Sequence, residues 1–154
     1  MSKKVFYYTL VLFLCVNVSC MSKKGRLEKS DIELFSNTLA WGLVKAIENE
    51  DISQINEILI SNSLLVNYQE PLYGITPLIR AIGTDKYKCA CKLLECGANP
   101  NLASKIGSTP LFEAISYRWD DVSAKIDTKY VKLLLSYGAN SNSGYSYQKI
   151  KKLF

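Results

Sequence analysis

The residue types that most often perform chemistry are scarce in this sequence. Histidine is absent, which removes the commonest general base and the usual partner of a nucleophilic serine or cysteine. Asp120 and Asp121 are adjacent, and neighbouring acids in a loop are more often a solvated charge pair than an acid/base dyad. Gly74 and Gly107 each stand alone before a Thr-Pro pair, so neither belongs to a phosphate-binding loop. The sequence predicts no catalytic residue, no cofactor and no enzyme activity.

The cysteines are the remaining reactive groups. Cys89, Cys91 and Cys96 lie close together, but residues two apart on a helix point to different sides, and structural zinc needs four ligands. No metal site is expected. We interpret Cys89 as a core residue, because a buried cysteine packs as a small hydrophobic group. In an exported chain the three thiols would leave one free cysteine beside one disulfide, a pairing that needs testing.

The chain has 154 residues, 48% of them hydrophobic. Its charged residues are unevenly distributed, so that the start of the chain is basic and the remainder is neutral. Six of the nineteen basic residues precede Ser30, against one of the fourteen acidic residues, so thirteen of each sign remain. A neutral segment lacks the phosphate attraction that drives nucleic-acid binding. We therefore expect no nucleic-acid partner. The length allows one folded domain, and no small-molecule substrate is expected either.

The first twenty residues have the layout of a secretory signal peptide. Lys3 and Lys4 precede an apolar run from Val5 to Val18, and small Ser19 stands before Cys20. Fourteen helical residues would cover about 21 Å of the roughly 30 Å of membrane hydrocarbon. A permanent transmembrane anchor is therefore the weaker interpretation of this run.

The end of the apolar run resembles the lipobox of bacterial lipoproteins, Val16-Asn17-Val18-Ser19-Cys20 in this chain. The resemblance implies a lipid on Cys20 that anchors an exported protein to a membrane. Asn17 stands where that family usually has Leu, Val or Ile. Secretion, or a soluble periplasmic protein with Cys20 as an ordinary thiol, therefore stays an alternative. Residues 21–30 are expected to form a basic flexible tether, either a solvated linker or a lipid-headgroup site.

Two segments of the remaining chain are repeated. Gly74–Ile82 recurs 33 residues later as Gly107–Ile115, and Leu93–Asn101 recurs 41 residues later as Leu134–Asn142. The different offsets indicate an insertion between Ile115 and Lys132.

Local chemistry explains the repeated residues. Thr76 and Thr109 can each cap a helix whose first residue is the proline that follows, where the missing N–H costs nothing. Gly97 and Gly138 can end the second helix of each repeat, because glycine adopts the left-handed conformation without steric penalty.

This 33-residue period with Thr-Pro-Leu, Leu-Leu and Gly-Ala-Asn resembles the ankyrin-repeat family. The resemblance implies an all-α solenoid of helix-turn-helix repeats with finger loops, about three repeats plus a C-terminal cap helix in residues 144–154. Asp31 to Asn67 is expected to be the amino-terminal capping repeat, with Trp41 covering the end of the stack. The predicted divisions are residues 1–20, signal peptide; 21–30, tether; and 31–154, ankyrin-repeat domain.

The resemblance also implies a binding surface on the concave side, made of finger loops and exposed positions of each first helix. Its predicted members are Tyr73, Ile75, Thr84, Ile106, Ser108 and Tyr117. For the two isoleucines, packing against the adjacent finger is an equal alternative.

The insertion, residues 117–128, adds a second predicted contact region. Tyr117, Arg118 and Trp119 stand side by side there, and these residue types dominate binding hot spots. The alternative for Trp119 is a lid on the core.

We therefore expect a non-enzymatic protein-binding module of the cell envelope. By analogy with short exported ankyrin proteins of bacteria, it could be an immunity protein that neutralises a toxin. The alternative is a scaffolding or stabilising subunit of a membrane-associated envelope complex. A conserved carboxylate pair facing a pocket would be needed to revive an enzymatic function.

Overall fold

The computed structural model describes residues 29–116 and 128–140, and its regular elements in those ranges are all helical. The α-helices form three consecutive pairs: α1 (Trp41–Glu48) with α2 (Ile52–Ser61), α3 (Pro77–Gly83) with α4 (Tyr87–Glu95), and α5 (Pro110–Ser116) with α6 (Lys129–Ser136). Two 3-10 helices, Lys29–Phe35 and Ser63–Asn67, precede α1 and follow α2. Each pair of α-helices forms one repeat.

Consecutive repeats lie side by side. Helix α1 contacts α3, and α3 contacts α5, while α2 contacts α4 behind them. Each helix also packs against its partner within the pair. The predicted all-α solenoid of three repeats is confirmed.

The Thr-Pro pairs start helices α3 and α5 at the predicted positions. The hydroxyl oxygen of Thr76 accepts a 3.2 Å hydrogen bond from the main-chain N–H of Ile79, and Thr109 caps Phe112 in the same way at 3.1 Å. A proline is the first residue of both α3 and α5. These bonds satisfy N–H groups that the helix itself leaves without a partner.

Glycine ends the second helices as predicted. Gly97 and Gly138 follow α4 and α6 with φ of 90° and 81°, in the left-handed region that other residues adopt at a cost. Their carbonyl oxygens then accept hydrogen bonds from asparagine side chains of the preceding repeat.

An asparagine ladder joins these turns between repeats. The side-chain oxygen of Asn67 accepts a 2.7 Å bond from the main-chain N–H of Asn99, and Asn101 binds the N–H of Asn140 at the same distance. Each asparagine also donates to the carbonyl of the glycine two residues before its partner. Because one side chain satisfies both a donor and an acceptor, the ladder fixes the spacing of the second-helix turns.

The turns inside the first and second repeats carry a second ladder, made of charges. Glu50 and Asp85 have φ of 56° and 58°, and their carboxylates point to the next repeat. Glu50 contacts the Lys86 ammonium at 2.9 Å. Asp85 contacts Lys129 at 3.1 Å and accepts a 2.9 Å bond from the Tyr130 hydroxyl.

The core runs through all three repeats and is closed at its amino-terminal end. Phe35, at the end of the first 3-10 helix, is fully buried, and Trp41 packs partly buried against the same core. Arg80 is also fully buried, with its Nε 2.7 Å from the carboxylate of Glu48. In residues 29–116 and 128–140, no helix has the length and apolar character needed to cross a membrane.

Candidate protein-binding surface

Two finger loops lead into the first helices. The first finger, residues 68–76, enters α3, and the second finger, residues 102–109, enters α5. In the first finger the N–H of Glu70 donates to the carbonyl of Ile75 at 3.1 Å, and the N–H of Gly74 donates to the carbonyl of Glu70 at 3.0 Å. The finger is therefore a closed main-chain turn with its tip at residues 71–73.

The second finger has the same closure with one residue fewer at its tip. The N–H of Ser104 donates to the carbonyl of Ser108 at 2.9 Å, and the N–H of Gly107 donates to Ser104 at 2.9 Å. Gly74 and Gly107, with φ of 71° and 80°, occupy equivalent left-handed positions. Both glycines thus serve the turn that closes each finger, since glycine adopts this conformation without steric penalty.

The two tips are bonded to each other. The main-chain N–H of Lys105 donates to the carbonyl of Tyr73 at 2.7 Å, and its ammonium donates to the carbonyl of Pro71. The Gln69 amide spans both fingers, donating to Gly74 at 3.1 Å and to Ala103 at 2.9 Å. The fingers therefore present one continuous surface.

Large apolar side chains project from these joined tips. Leu72 is 62% exposed, Tyr73 43% and Ile106 65%. We call these three residues the fingertip patch. Grouped exposed apolar side chains on bonded main-chain turns are typical of an interaction surface, because folding alone does not require them there.

Sequence reasoning found Tyr73 and Ile106 but missed Leu72. The signal was the length of the first finger, which has three residues between Glu70 and Gly74 where the second finger has two between Ser104 and Gly107. The extra residue provides the second large side chain at the first tip.

Two predicted contact residues belong instead to the interior. Ile75 is only 6% exposed and Ser108 9%, because both lie at the closed base of a finger. Ile75 packs in the core, which is the alternative that its sequence left open. The Ser108 hydroxyl donates to the buried Glu113 carboxylate at 3.3 Å. Neither side chain offers a partner useful area.

The first helix of the second repeat contributes less to a binding surface than the resemblance implied. All seven residues of α3 are buried, so this helix offers a partner no exposed side chain. Thr84, just after α3, is half-buried and donates its hydroxyl to the carbonyl of Arg80 at 2.9 Å. Of the predicted insertion, the structure describes only Thr128. Tyr117, Arg118 and Trp119 lie outside the described residues, as do Asp120, Asp121 and the predicted cap helix.

Cys89 follows the core interpretation. Cys89 is fully buried and its thiol donates to the carbonyl of Ile47 at 3.7 Å. Burial raises the pKa of this thiol to about 11. Cys91 and Cys96 are half-buried, and all three are free thiols. Among the described residues no group of His, Cys, Asp or Glu could hold a metal ion.

The second helices of the second and third repeats form a groove. It has a volume of about 520 Å³ and is lined by Tyr87, Thr128, Lys129, Lys132, Leu133 and Ser136. The Lys129 ammonium lies 5.5 Å from the centre of the Tyr87 ring, 5.1 Å from that of Tyr130, and in contact with Asp85. This cation is already engaged between the second and third repeats, so the fingertip patch is the better candidate site.

Comparison with known proteins agrees with this architecture. The family described as "Ankyrin repeats (3 copies)" matches residues 43–145. The chain is 38% identical to the human 2-5A-dependent ribonuclease over 72 residues, which are 47% of the chain. It is 36% identical to an ankyrin repeat protein of Rickettsia bellii over 65% of its length, and 30% identical to human inversin over 74%.

These relatives are much longer proteins. The chain spans 10% of the ribonuclease, 14% of the Rickettsia protein and 10% of inversin. Among solved structures, the ankyrin repeat protein EF0377 is similar over 65% of this chain and 63% of its own, with 23% identity and a TM-score of 0.40. The family match covers well over half of the sequence and includes residues of all three helix pairs. The chain therefore belongs to the ankyrin-repeat family.

Proposed function

We propose that this ankyrin-repeat domain is a protein-binding module of the cell envelope that grips its partner with the fingertip patch. Ankyrin repeats as a family indicate a protein–protein interaction module rather than a catalytic fold. The observation that carries the proposal is the bonded pair of finger tips, where the Lys105 N–H lies 2.7 Å from the Tyr73 carbonyl. Three exposed apolar side chains are thereby held on one rigid platform.

Rigidity matters because association must offset the entropy of ordering flexible loops. Each finger is closed by its own main-chain bonds, and cross-finger bonds from Lys105 and Gln69 fix the tips to each other. A partner that covers Leu72, Tyr73 and Ile106 would therefore bury apolar area without having to order the surface first. In the proposal Tyr117, Arg118 and Trp119 extend this contact as hot-spot residues of the insertion.

Export and lipid anchoring are part of the same proposal. They are supported by the charged start, the apolar run and Cys20 at its end. Replacing Cys20 with serine should move the protein from the membrane fraction to the soluble fraction and abolish fatty-acid labelling. Cys15→Ser, a matched change inside the apolar run, should leave both unchanged. Equal membrane association of the Cys20→Ser protein would contradict lipid anchoring.

The partner proposed is a toxin that this module neutralises. In this role the module would be a small binding protein displayed at the membrane outside the cytoplasm. The alternative partner is an enzyme of the envelope that the module scaffolds or stabilises. A toxin partner would be inhibited when bound, whereas a scaffolded enzyme would lose stability or activity when the module is removed. An activity assay of the captured partner with and without this protein separates the two.

Site-specific photo-cross-linking tests the binding surface itself. A photoreactive amino acid replaces Ile106 in the second finger or, as a control, Ile60, which is 76% exposed on α2. The two positions share residue type and exposure, so they differ chiefly in location. We expect one protein adduct from position 106 in the native cells and none from position 60. Adducts of equal yield from both positions, or from position 60 alone, would contradict the proposal.

A further inference from the structure

A buried carboxylate organises the tip of the first finger. Glu70 is fully buried. Its Oε2 accepts the main-chain N–H of Leu72 at 2.6 Å, and its Oε1 accepts those of Tyr73 at 2.5 Å and Ile75 at 3.1 Å. One side chain thus bonds the main chain of both apolar residues at the tip and of the residue that closes the finger.

The second finger shows what this carboxylate adds. Ser104 stands at the position equivalent to Glu70, and among the described residues its hydroxyl oxygen accepts only the N–H of Ser108, at 3.0 Å. The main-chain bonds at the bases of the two fingers are otherwise the same. In the first finger, which is one residue longer, the N–H groups of Leu72 and Tyr73 at the tip are also bonded to the Glu70 carboxylate. Only a side chain with two acceptor oxygens and the reach of glutamate meets all three donors.

We propose that Glu70 is the positioning residue of the fingertip patch: it holds the longer finger in the conformation that displays Leu72 and Tyr73 together. This inference rests on the proposed function, because it concerns the same binding surface. Glu70 itself is buried and does not touch the partner. Without its carboxylate the tip N–H groups would turn to water and the two side chains would no longer be held side by side.

Hydrogen exchange of the ¹⁵N-labelled full-length chain tests the positioning directly. In Glu70→Gln the amide oxygen can replace Oε1 and keep the bonds to Tyr73 and Ile75, but the NH₂ group cannot accept from Leu72. We expect the Leu72 amide alone to exchange about tenfold faster in this variant. In Glu70→Ala all three amides should lose protection. Unchanged exchange of the three amides in Glu70→Ala would overturn the inference.

A reciprocal cross-linking experiment tests whether the ordered conformation of the finger tip is needed for binding. The photoreactive residue is placed at Leu72 or at Ile106, and each version is combined with Glu70→Ala or with Ser104→Ala. We expect Glu70→Ala to lower the adduct yield from position 72 about tenfold and to spare position 106. Ser104→Ala should lower the yield from position 106 and spare position 72. This reciprocity would not arise from general unfolding.

The outcomes separate the two proposals. A yield from position 72 that survives Glu70→Ala overturns the role of Glu70 and leaves the proposed function standing. Equal loss at both positions in Glu70→Ala also overturns it, since Glu70 would then act through the stability of the whole stack. If neither position 72 nor position 106 gives an adduct when Glu70 and Ser104 are both intact, the proposed function is overturned, and the inference with it.

Discussion

The side-chain oxygen of Asn101 lies 2.7 Å from the main-chain nitrogen of Asn140, and the pair Asn67 and Asn99 one repeat earlier has the same distance. The two pairs are separated by 39 and 32 residues of chain. The longer separation includes the insertion between α5 and α6. The contact between repeats therefore has the same distance despite the extra residues in the sequence between α5 and α6.

This ladder should contribute measurably to stability. Replacing Asn101 with alanine removes two hydrogen bonds to the next repeat, and we expect it to lower the free energy of unfolding by about 1 kcal/mol. Asn62→Ala is the control, because Asn62 accepts only from Leu64 within its own repeat. It should cost less than half as much. Urea unfolding followed by circular dichroism measures both, and equal losses would contradict a special role of the ladder.

Gly74 in the first finger is predicted to be harder to replace than Gly97, which follows α4. A Cβ there would lie 2.9 Å from the Lys105 nitrogen, at a φ of 71°. Gly97 has a similar φ of 90° but open space around its Cβ position. Gly97→Ala should therefore cost only the conformational penalty, about 1 kcal/mol. Gly74→Ala should cost about 1 kcal/mol more and shift the Tyr73 and Lys105 amide resonances, whereas equal costs would show that the fingers separate easily.

Leu94 and Leu135 occupy equivalent positions of the second and third repeats but differ in burial. Leu94 is 3% exposed and Leu135 49%. Leu94→Asp places an unpaired charge in the core, and we expect it to lower the free energy of unfolding by at least about 3 kcal/mol and to collapse the stack. Leu135→Asp should cost about 1 kcal/mol or less. Thermal melts of both variants test this, and similar melting temperatures would contradict the described core.

Cys89 should be the least reactive of the three cysteines in the repeats. Burial raises the pKa of its thiol from 9.0 to about 11, so at pH 8 almost no thiolate is present to react. We expect a maleimide to label Cys91 and Cys96 in the native protein and Cys89 only after unfolding, as read by peptide mass spectrometry. Labelling of native Cys89 at the rate of Cys91 would contradict its burial.

The same pKa shift gives stability a pH dependence. The native state holds the Cys89 proton more tightly than the unfolded chain does, so this contribution is complete below pH 9 and declines as the pH rises from about 9 to about 11. Cys89→Ser, which has no thiol to ionise, should show a shallower decline over that range. A parallel decline in both proteins would assign the effect to other groups.

The helices and their ends could be predicted because their signals are local. A Thr-Pro pair starts a helix and a following glycine ends it wherever they stand, as Thr76 and Gly97 do. The asparagine ladder was not predicted. Its first member, Asn67, belongs to a repeat without the Gly-Ala-Asn motif, and its partner lies 32 residues away.

The candidate site was predicted only in part because exposure depends on neighbouring fingers. Ile75 and Ile106 are the same residue type in similar loops, yet one is 6% exposed and the other 65%. The difference is their place in the finger: Ile75 closes a base and Ile106 lies at a tip. Glu70 and Leu72 were not predicted as residues of the site, because the role of each depends on the extra residue of the first finger.

Binding through the fingertip patch is the central claim, and the dissociation constant of the cross-linked partner tests it most directly. It is measured by calorimetry for the unsubstituted protein, for Ile106→Ser and for the control Ile60→Ser. We predict that Ile106→Ser weakens binding about tenfold, as expected of an apolar anchor, and that Ile60→Ser leaves the affinity unchanged. Unchanged affinity of Ile106→Ser, with loss in Ile60→Ser, would place the binding surface on α2 and contradict the account.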